Sequence, residues 1–130
     1  MSIFATRSSG RPWCNMRPED RTRILHMIET AEIVAQFVAG RRREHLDSDR
    51  MLLFALARGV EVIGEAAANV SPETRMATPE IPWSGIVSMR NRLIHRYFDI
   101  DRSILWKTAT EEIPALLAAL WALNIDERDD

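Results

Sequence analysis

Residues 90–97, which read Arg-Asn-Arg-Leu-Ile-His-Arg-Tyr, concentrate the side chains of this chain that could do chemistry. The stretch holds three arginines, a histidine and the chain's only tyrosine. An arginine binds carboxylates and phosphates through its planar guanidinium, and a histidine can transfer protons near neutral pH. The pattern therefore indicates a site that binds an anion and moves a proton.

Arg90 falls where a helical count expects an apolar residue. Pro82 suits the first turn of a helix, and about 100° per residue from there puts Ile86, Leu93 and Ile94 on one apolar arc. Arg90 lies inside that arc. A guanidinium that faces a core needs a carboxylate, a phosphate or equivalent acceptors. A structural ion pair and a functional anion site both meet this need, so the spacing leaves the two interpretations open.

His95 lies on a different side of this helix, close to the predicted C-terminus. The helix dipole favours an imidazolium there, which suits proton transfer near neutral pH. Asn91 shares the face of His95 at a spacing of four residues. An arginine-rich helix end with one histidine is also typical of a solvated face, so a catalytic Arg90 and His95 is a hypothesis at this point.

An earlier predicted helix offers a partner for Arg90. Its narrow polar strip consists of Arg58, Glu61, Glu65 and Asn69. In one interpretation the strip touches solvent and contains an Arg58–Glu61 ion pair. In the other it faces a cleft, where Glu65 would be the carboxylate that accepts from Arg90.

Length and composition limit the class of protein. A chain of 130 residues with 46% hydrophobic residues can bury one core and is expected to be globular. The single cysteine, Cys14, excludes an internal disulfide and a cysteine-based zinc site, and it indicates a reducing cytoplasm. No apolar run approaches the roughly 20 residues of a membrane helix. The net charge of −2 gives no overall attraction to nucleic acid, so no DNA or membrane partner is expected and an RNA contact needs a local patch.

Three regions are expected along the chain. Residues 1–15 are polar and without periodicity, and we interpret them as a flexible extension, which leaves Met16 as an alternative start. Residues 16–125 are predicted to form one helical domain, and residues 126–130 an acidic, frayed tail. Because no strand pattern is convincing, we predict an all-α fold. Its architecture is an antiparallel bundle of four long helices plus a short helix.

The first long helix is predicted to begin at Pro18 and to end before Gly40, a suitable C′ residue. We interpret the run Arg41–Arg43 as solvent-exposed positive charge that interacts favourably with the helix dipole at this C-terminus. An RNA contact is the alternative. His26 is expected to be exposed. The predicted core stripe of this helix is Ile24, Ile28, Ala31, Ala35 and Val38.

The second long helix is predicted over residues 49–70, with Asp47 or Ser48 as its cap. It is apolar almost all round, which is typical of a central, buried helix. Gly59 and Gly64 lower the helix propensity, and we interpret them as points of close helix contact. A short helix or turn is predicted from residue 71, and residues 79–82 form a rigid connector to the motif helix.

The last helix is predicted to be capped by Asp101 and to run to about Asn124, with a kink caused by Pro114. Three further residues widen the apolar arc of this helix to about 160°. An arc of this width predicts that part of it is buried against another helix or a second subunit. The core stripe is Leu105, Ala109, Ile113, Leu116, Leu120 and Leu123. The widening residues are Trp106, Leu117 and Trp121.

An ordered set of blocks in this chain resembles the HepT family of the HEPN superfamily. The blocks are residues 63–67 (Ile-Gly-Glu-Ala-Ala), residues 79–83 (Pro-Glu-Ile-Pro-Trp), residues 89–98 around the motif, and Asp101 with Trp106. The resemblance covers roughly residues 17–123. The Arg-x4-His-x-Tyr element alone would be weak evidence, and the order of the surrounding blocks makes it specific.

The resemblance implies a small all-helical homodimer that acts as the toxin of a type VII toxin–antitoxin pair. Such a toxin would cut RNA without a metal ion or other cofactor. Arg90 and His95 would be its catalytic residues, with Asn91 as a supporting part of the pattern. Tyr97 would be the residue that a partner, an MntA-type minimal nucleotidyltransferase antitoxin, modifies with AMP.

The chemistry of these residues agrees with that implication. RNA is cut when its own 2′-OH attacks the adjacent phosphate, a step that needs a base and positive charge on the developing phosphorane. His95 can supply the base and Arg90 the charge. Because one chain offers one well-placed histidine, an acid and a base together suggest two motifs that meet across a twofold axis. AMP on Tyr97 would add negative charge and bulk that repel RNA.

A hypothesis from a different class remains open on the sequence. The chain could be a non-catalytic nucleotide- or RNA-binding subunit of a nucleotidyltransferase complex. Arg90 and His95 would then bind phosphate only.

Overall fold

The structure is a computed structural model that describes residues 16–93 and 99–125, apart from the side chain of Arg90. The regular elements in these ranges are helical, and no β-strand occurs in them, so the predicted all-α class is confirmed. The extension predicted at residues 1–15 and the tail predicted at residues 126–130 lie outside the described residues. The elements are α1 (Pro18–Val38), α2 (His45–Ser48), α3 (Arg50–Ala68), α4 (Pro72–Ala77), α5 (Trp83–Leu93), α6 (Arg102–Lys107), a π-helical turn (Thr108–Glu112) and α7 (Ile113–Trp121).

The long helices share one hydrophobic core. Helix α1 packs along α3 and α7, and α3 also packs along α5, the helix that carries the motif. Burying an isoleucine or leucine side chain completely contributes about 1.5–3 kcal/mol, so this core fixes the position of α5. The largest fully buried side chains include Ile24, Met27, Leu56, Ile63, Leu93, Leu105, Ile113 and Leu120.

Helix α1 begins and ends where its sequence predicts. Pro18 starts the helix, and Gly40 adopts φ 72° just after its end, a left-handed conformation that costs glycine little. The predicted stripe is wrong at Ala35, which is exposed, while Met27 and Val34 are buried. The predicted stripe follows a strict 4-3-4-3 spacing and therefore omits Met27 and Val34. These residues are buried because α1 packs against both α3 and α7 and buries a wider face. His26 is exposed, as predicted.

Helix α3 is capped by Asp49 rather than by Asp47 or Ser48. The Asp49 carboxylate accepts a hydrogen bond from the Leu52 N–H at 3.1 Å. The predicted caps were wrong because Asp47 and Ser48 belong to the short helix α2, which the local pattern did not reveal. The helix ends at Ala68, two residues before the predicted end.

The prediction that α3 is buried almost all round is wrong for one of its sides. Leu53, Leu56 and Ile63 are buried, as expected for the core face. On the other side Met51 is 83% exposed, and Ala55, Val62 and Ala66 are only half-buried. An apolar composition thus gave too high an estimate of burial, because small and apolar residues also occur on surfaces.

Gly59 allows the close contact between α1 and α3 that its place in the sequence suggests. A Cβ at this position would lie 2.6 Å from Cγ2 of Val34, closer than real side chains approach one another. The absence of a side chain at Gly59 therefore lets the two helices pack tightly. Gly64, the second glycine of this helix, is also buried.

A buried carboxylate joins the start of α1 to the start of α4. Asp20, which is 2% exposed, accepts hydrogen bonds from the Ser71 N–H at 3.0 Å, from the Ser71 hydroxyl at 2.5 Å and from the Thr74 hydroxyl at 2.7 Å. Burial acts to raise the pKa of Asp20, but the hydrogen bonds from Ser71 and Thr74 outweigh it. The pKa of this carboxyl therefore lies below its ordinary value.

Replacing Asp20 with asparagine is expected to lower the free energy of unfolding by roughly 1.5–3 kcal/mol at pH 7, because an amide cannot accept all three hydrogen bonds. A lowered folded-state pKa stabilises the fold above the ordinary aspartate pKa of about 3.9, and this stabilisation is lost as the pH falls through the lowered value. Urea unfolding at several pH values should show the difference from wild type shrinking below about pH 4. Glu19→Gln, an exposed change in the same turn, is the control. A difference that persists unchanged into acid would contradict the assignment.

The last helix is interrupted before Pro114, as predicted, and the interruption is a π-helical turn. Residues 108–112 widen into this turn, which accommodates the proline that cannot donate to the ladder. Asp101 caps the helix by accepting from the Ile104 N–H at 3.0 Å. The six residues of the predicted core stripe are all buried. Of the residues that widen the arc, Leu117 is buried, Trp106 half-buried and Trp121 53% exposed, so part of the arc is left uncovered within this chain.

Candidate functional site

The motif helix α5 is positioned at its start by Trp83. The indole N–H of Trp83 lies 3.1 Å from the hydroxyl and 3.3 Å from the carbonyl oxygen of Thr78, both of which can accept from it. Thr78, Ile81 and Trp83 are all buried. The connector of residues 79–83 is therefore anchored to the core by Ile81 and Trp83, which sets where α5 begins, while its other three residues are exposed.

One face of α5 is held in the core and carries the position of Arg90. Ile86 and Leu93 are buried, which confirms the predicted apolar arc for its described members, and Met89 is buried as well. The backbone of Arg90 lies in the last turn of α5, next to this buried face by helical count. Its side chain and the predicted arc residue Ile94 lie outside the described residues.

Hydrogen bonds of Asp101 join the end of α5 to the start of α6. The Asp101 N–H donates to the Leu93 carbonyl at 2.9 Å, and the Asp101 side chain caps α6. Leu93 is buried and Ile100 is half-buried. The end of α5 and the start of α6 therefore lie next to each other.

Some of the predicted site residues lie within the described part of the chain and others lie outside it. Asn91 is exposed on α5, one residue after Arg90. His95 and Tyr97 lie outside the described residues. The local arrangement of Arg90, Asn91 and His95 thus remains a prediction.

The polar strip of α3 agrees in part with the solvent interpretation. Arg58 and Glu61 form the predicted ion pair, with 3.4 Å between guanidinium and carboxylate. Glu65 is exposed, and its carbonyl accepts from the Asn69 side chain at 2.9 Å. Helix α3 packs against α5, so a contact between the Glu65 carboxylate and Arg90 stays a prediction.

The basic run after α1 is largely balanced by nearby carboxylates. Arg41 lies 2.7 Å from Asp49, and Arg43 lies 2.9 Å from Asp47. The hydrogen bond from Arg41 and that from the Leu52 N–H hold the pKa of Asp49 below its ordinary value. This pairing favours the structural interpretation of the run over the RNA contact.

His45 orders the same loop. Its Nδ1 accepts from the Arg42 N–H at 2.9 Å. The contact gives this histidine a local structural role.

Two side chains join the motif helix to the π-helical turn. Arg92 donates to Glu112 at 3.2 Å beside a groove of about 380 Å³ between α5 and α7. The pair is about half exposed and therefore contributes little to stability. The apolar part of the groove includes Ile86, Met89 and Leu116, and its polar rim includes Glu80. Sequence reasoning missed this pair, because a contact between residues 20 positions apart leaves no local signal.

Two further properties concern the described residues only. No group of three or more His, Cys, Asp or Glu side chains among them is placed to hold a metal ion. None of the helices within these ranges is both long and apolar enough to cross a membrane.

The fold and the site together define a class of protein. It is a small all-helical domain whose motif helix carries Arg90 and Asn91 in its last turn. In the sequence a histidine and a tyrosine follow this helix, and the Asp101 N–H donates to the carbonyl of Leu93 at the helix end.

Comparison with known proteins identifies the family within this class. A model of the family described as "Ribonuclease HepT-like" matches residues 27–123. A probable ribonuclease HepT from Thermococcus cleftensis is 36% identical over 101 residues, which cover 78% of this chain and 92% of the relative. A putative RNase from Caldanaerobacter subterraneus subsp. tengcongensis is 36% identical over 96 residues, which cover 74% and 86% of the two chains. A putative RNase from Methanocaldococcus jannaschii is 34% identical over 93 residues, which cover 72% and 85%.

No solved structure matches the chain. The chain belongs to the HepT-like ribonuclease family. The resemblance drawn from the motif blocks is thereby confirmed, and with it the prediction of an enzyme that cuts RNA.

Proposed function

We propose that this chain is the toxin of a type VII toxin–antitoxin pair, a homodimeric endoribonuclease that cuts RNA without a metal ion. The observation that carries the proposal is the family match over residues 27–123, which contains the whole motif from Arg90 to Tyr97. The hydrogen bond between Asp101 and Leu93 supports it, because it fixes the described residues that precede and follow His95 and Tyr97 in the chain.

The reaction follows from the roles of two side chains. His95 takes the proton from the 2′-OH, whose oxygen then attacks the adjacent phosphorus. Arg90 stabilises the charge on the phosphorane, and the bond from phosphorus to the 5′ oxygen breaks. The leaving 5′ oxygen takes a proton from the histidine of a second protomer. The products are a 2′,3′-cyclic phosphate and a 5′-OH, so no water is consumed in this step.

A second protomer is supported by apolar surface that this chain leaves uncovered. Trp121 is 53% exposed on α7, where the sequence predicts an arc too wide for one contact. Exposed aromatic residues are typical anchors of protein interfaces. A twofold dimer would bring two copies of the motif to one site and supply the acid and the base together.

The regulatory part of the proposal concerns Tyr97. An AMP group on this tyrosine adds a negative charge two residues after His95, which repels the RNA phosphates and fills space at the site. Neutralisation of the toxin then needs no unfolding. The partner that adds the group is a minimal nucleotidyltransferase of the MntA type.

Treatment with such a nucleotidyltransferase and ATP is expected to add the mass of one AMP group and to abolish RNA cleavage. Tyr97→Phe should gain no mass and should keep cleaving RNA after the same treatment, because it lacks the hydroxyl that is modified. Intact-mass spectrometry and a cleavage assay on the same samples check both results. Loss of cleavage by treated Tyr97→Phe would show that the antitoxin acts in another way.

A further inference from the structure

A second groove lies beside the motif segment, on the side of α3. It has a volume of about 360 Å³ and is lined by Arg50, Leu53, Phe54, Asp99, Ile100 and Arg102. Asp99 lies four residues after His95 in the chain, so the two residues are at most about 14 Å apart. The groove is therefore close enough to hold nucleotides next to the one that is cut.

Phe54 is the residue of this groove that a purely structural role does not explain. It is 62% exposed although it is large and apolar. Arg50 stands one helical turn before it and Arg58 one turn after it on the same face of α3. Each arginine is therefore about 6 Å from Phe54 along the helix axis. Arg58 is paired with Glu61. An exposed aromatic ring beside a cation such as Arg50 can bind single-stranded nucleic acid, with a base stacked on the ring and a phosphate on the arginine.

The charges around Phe54 are not all balanced. Arg102 donates to the Leu46 carbonyl at 3.3 Å and lies 3.6 Å from Asp47. Arg50 is exposed and makes no ion pair or side-chain hydrogen bond in the part of the chain that the structure describes. It thus differs from Arg41 and Arg43, which have carboxylate partners. Arg50 is the cation of this groove that is available to a phosphate.

We propose that Phe54 and Arg50 form a docking subsite for single-stranded RNA beside the active site. One base stacks on the Phe54 ring, and Arg50 binds a neighbouring phosphate. The inference rests on the proposed function, because RNA is the ligand of both. The groove between α5 and α7 suits RNA less well, since its lining has two carboxylates, Glu80 and Glu112, and one arginine, whereas the groove beside Phe54 has one carboxylate and two arginines.

The test measures binding separately from cleavage. The protein is the His95→Ala variant, and the probe is a fluorescent, unstructured RNA of about 12 nucleotides, within the usual site size for single strands. Fluorescence anisotropy gives its Kd. Phe54→Leu in this background is expected to raise the Kd by about 5- to 100-fold, the range for loss of one stacked base. Phe54→Tyr should restore binding to within about twofold, because it keeps a ring for stacking.

Met51→Leu is the matched control. Met51 is 83% exposed on the same helix, but it lines a different groove together with Gln36 and Phe37. Its replacement should leave the Kd unchanged. Arg50→Gln should weaken binding and reduce the slope of log K against log salt by about 0.7, as expected for one lost phosphate contact on a single strand.

The possible outcomes separate this inference from the proposed function. If wild type cleaves RNA while Phe54→Leu keeps its affinity, the subsite is wrong and the proposed function stands. If Phe54→Leu changes the oligomeric state in light scattering, the patch is a protein interface, which also overturns the subsite. If unmodified wild type never cleaves RNA but Phe54→Leu loses affinity, the subsite stands and the ribonuclease mechanism fails.

Discussion

Replacing Arg90 with alanine is expected to slow RNA cleavage by about 100- to 1,000-fold, the cost of losing one group that stabilises charge in a transition state. Arg90 lies in the last turn of α5, next to a face whose residues Ile86, Met89 and Leu93 are buried. The core therefore fixes the backbone of Arg90. Single-turnover cleavage of a defined RNA measures the effect.

Two further variants decide whether charge or geometry matters at this position. Arg90→Lys keeps the charge but loses the planar fork that binds two phosphate oxygens, so its rate should lie between wild type and Arg90→Ala. Arg42→Ala is the control, because Arg42 is exposed and 3.8 Å from Glu44. Equal slowing by Arg42→Ala and Arg90→Ala would mean that general electrostatic attraction, and not this site, is responsible.

His95→Ala is expected to slow cleavage by about 100- to 10,000-fold, the usual contribution of a general base or acid. RNA binding should survive, since Arg90 and the rest of the surface are unchanged. Free imidazole should partly restore the rate if the lost group carries a proton. The bell-shaped dependence of the rate on pH expected for wild type should be absent in the variant.

His26→Ala is the matched control for that variant. His26 is exposed on α1, and no sequence or structural observation places it at the site. Its replacement should leave the rate and the pH profile as in wild type. Cleavage by His95→Ala at the wild-type rate would remove His95 from the mechanism.

Features set by neighbouring residues were predicted well from the sequence. Pro18 and Gly40 mark where α1 begins and ends, and Asp101 caps the last helix. Such signals are local, since a cap or a left-handed glycine acts on residues within one turn. The buried stripe of the last helix was also predicted, because six aligned apolar positions leave one possible core face.

Features set by contacts between distant residues were not predicted. In the sequence, Asp20 is an acidic residue in the first turn of a helix, where the helix dipole favours it. In the structure it is buried and accepts a hydrogen bond from Ser71, which lies 51 residues later in the chain. Ala35 was assigned to the core and is exposed, because the packing of α1 on two helices decides which face is buried. A local pattern carries no information on these contacts.

The candidate site also combines features set by neighbouring residues with features set by contacts between distant residues. The start of the motif helix was predictable from Pro82, and α5 begins at the next residue, Trp83, and carries the motif residues 90–93. The role of the Trp83 indole, which binds Thr78, was missed. The Glu65–Arg90 contact and the arrangement of His95 and Tyr97 remain predictions, because they depend on side chains from separate elements.

Metal-independent cleavage is tested by incubating RNA with unmodified wild-type protein in EDTA. Intact-mass spectrometry first establishes that the sample carries no AMP. The proposed ribonuclease mechanism predicts cleavage of labelled tRNA or mRNA that leaves 2′,3′-cyclic phosphate ends. This cleavage should disappear in His95→Ala. Intact RNA after incubation with the unmodified protein would contradict it and would favour a non-catalytic RNA- or nucleotide-binding subunit.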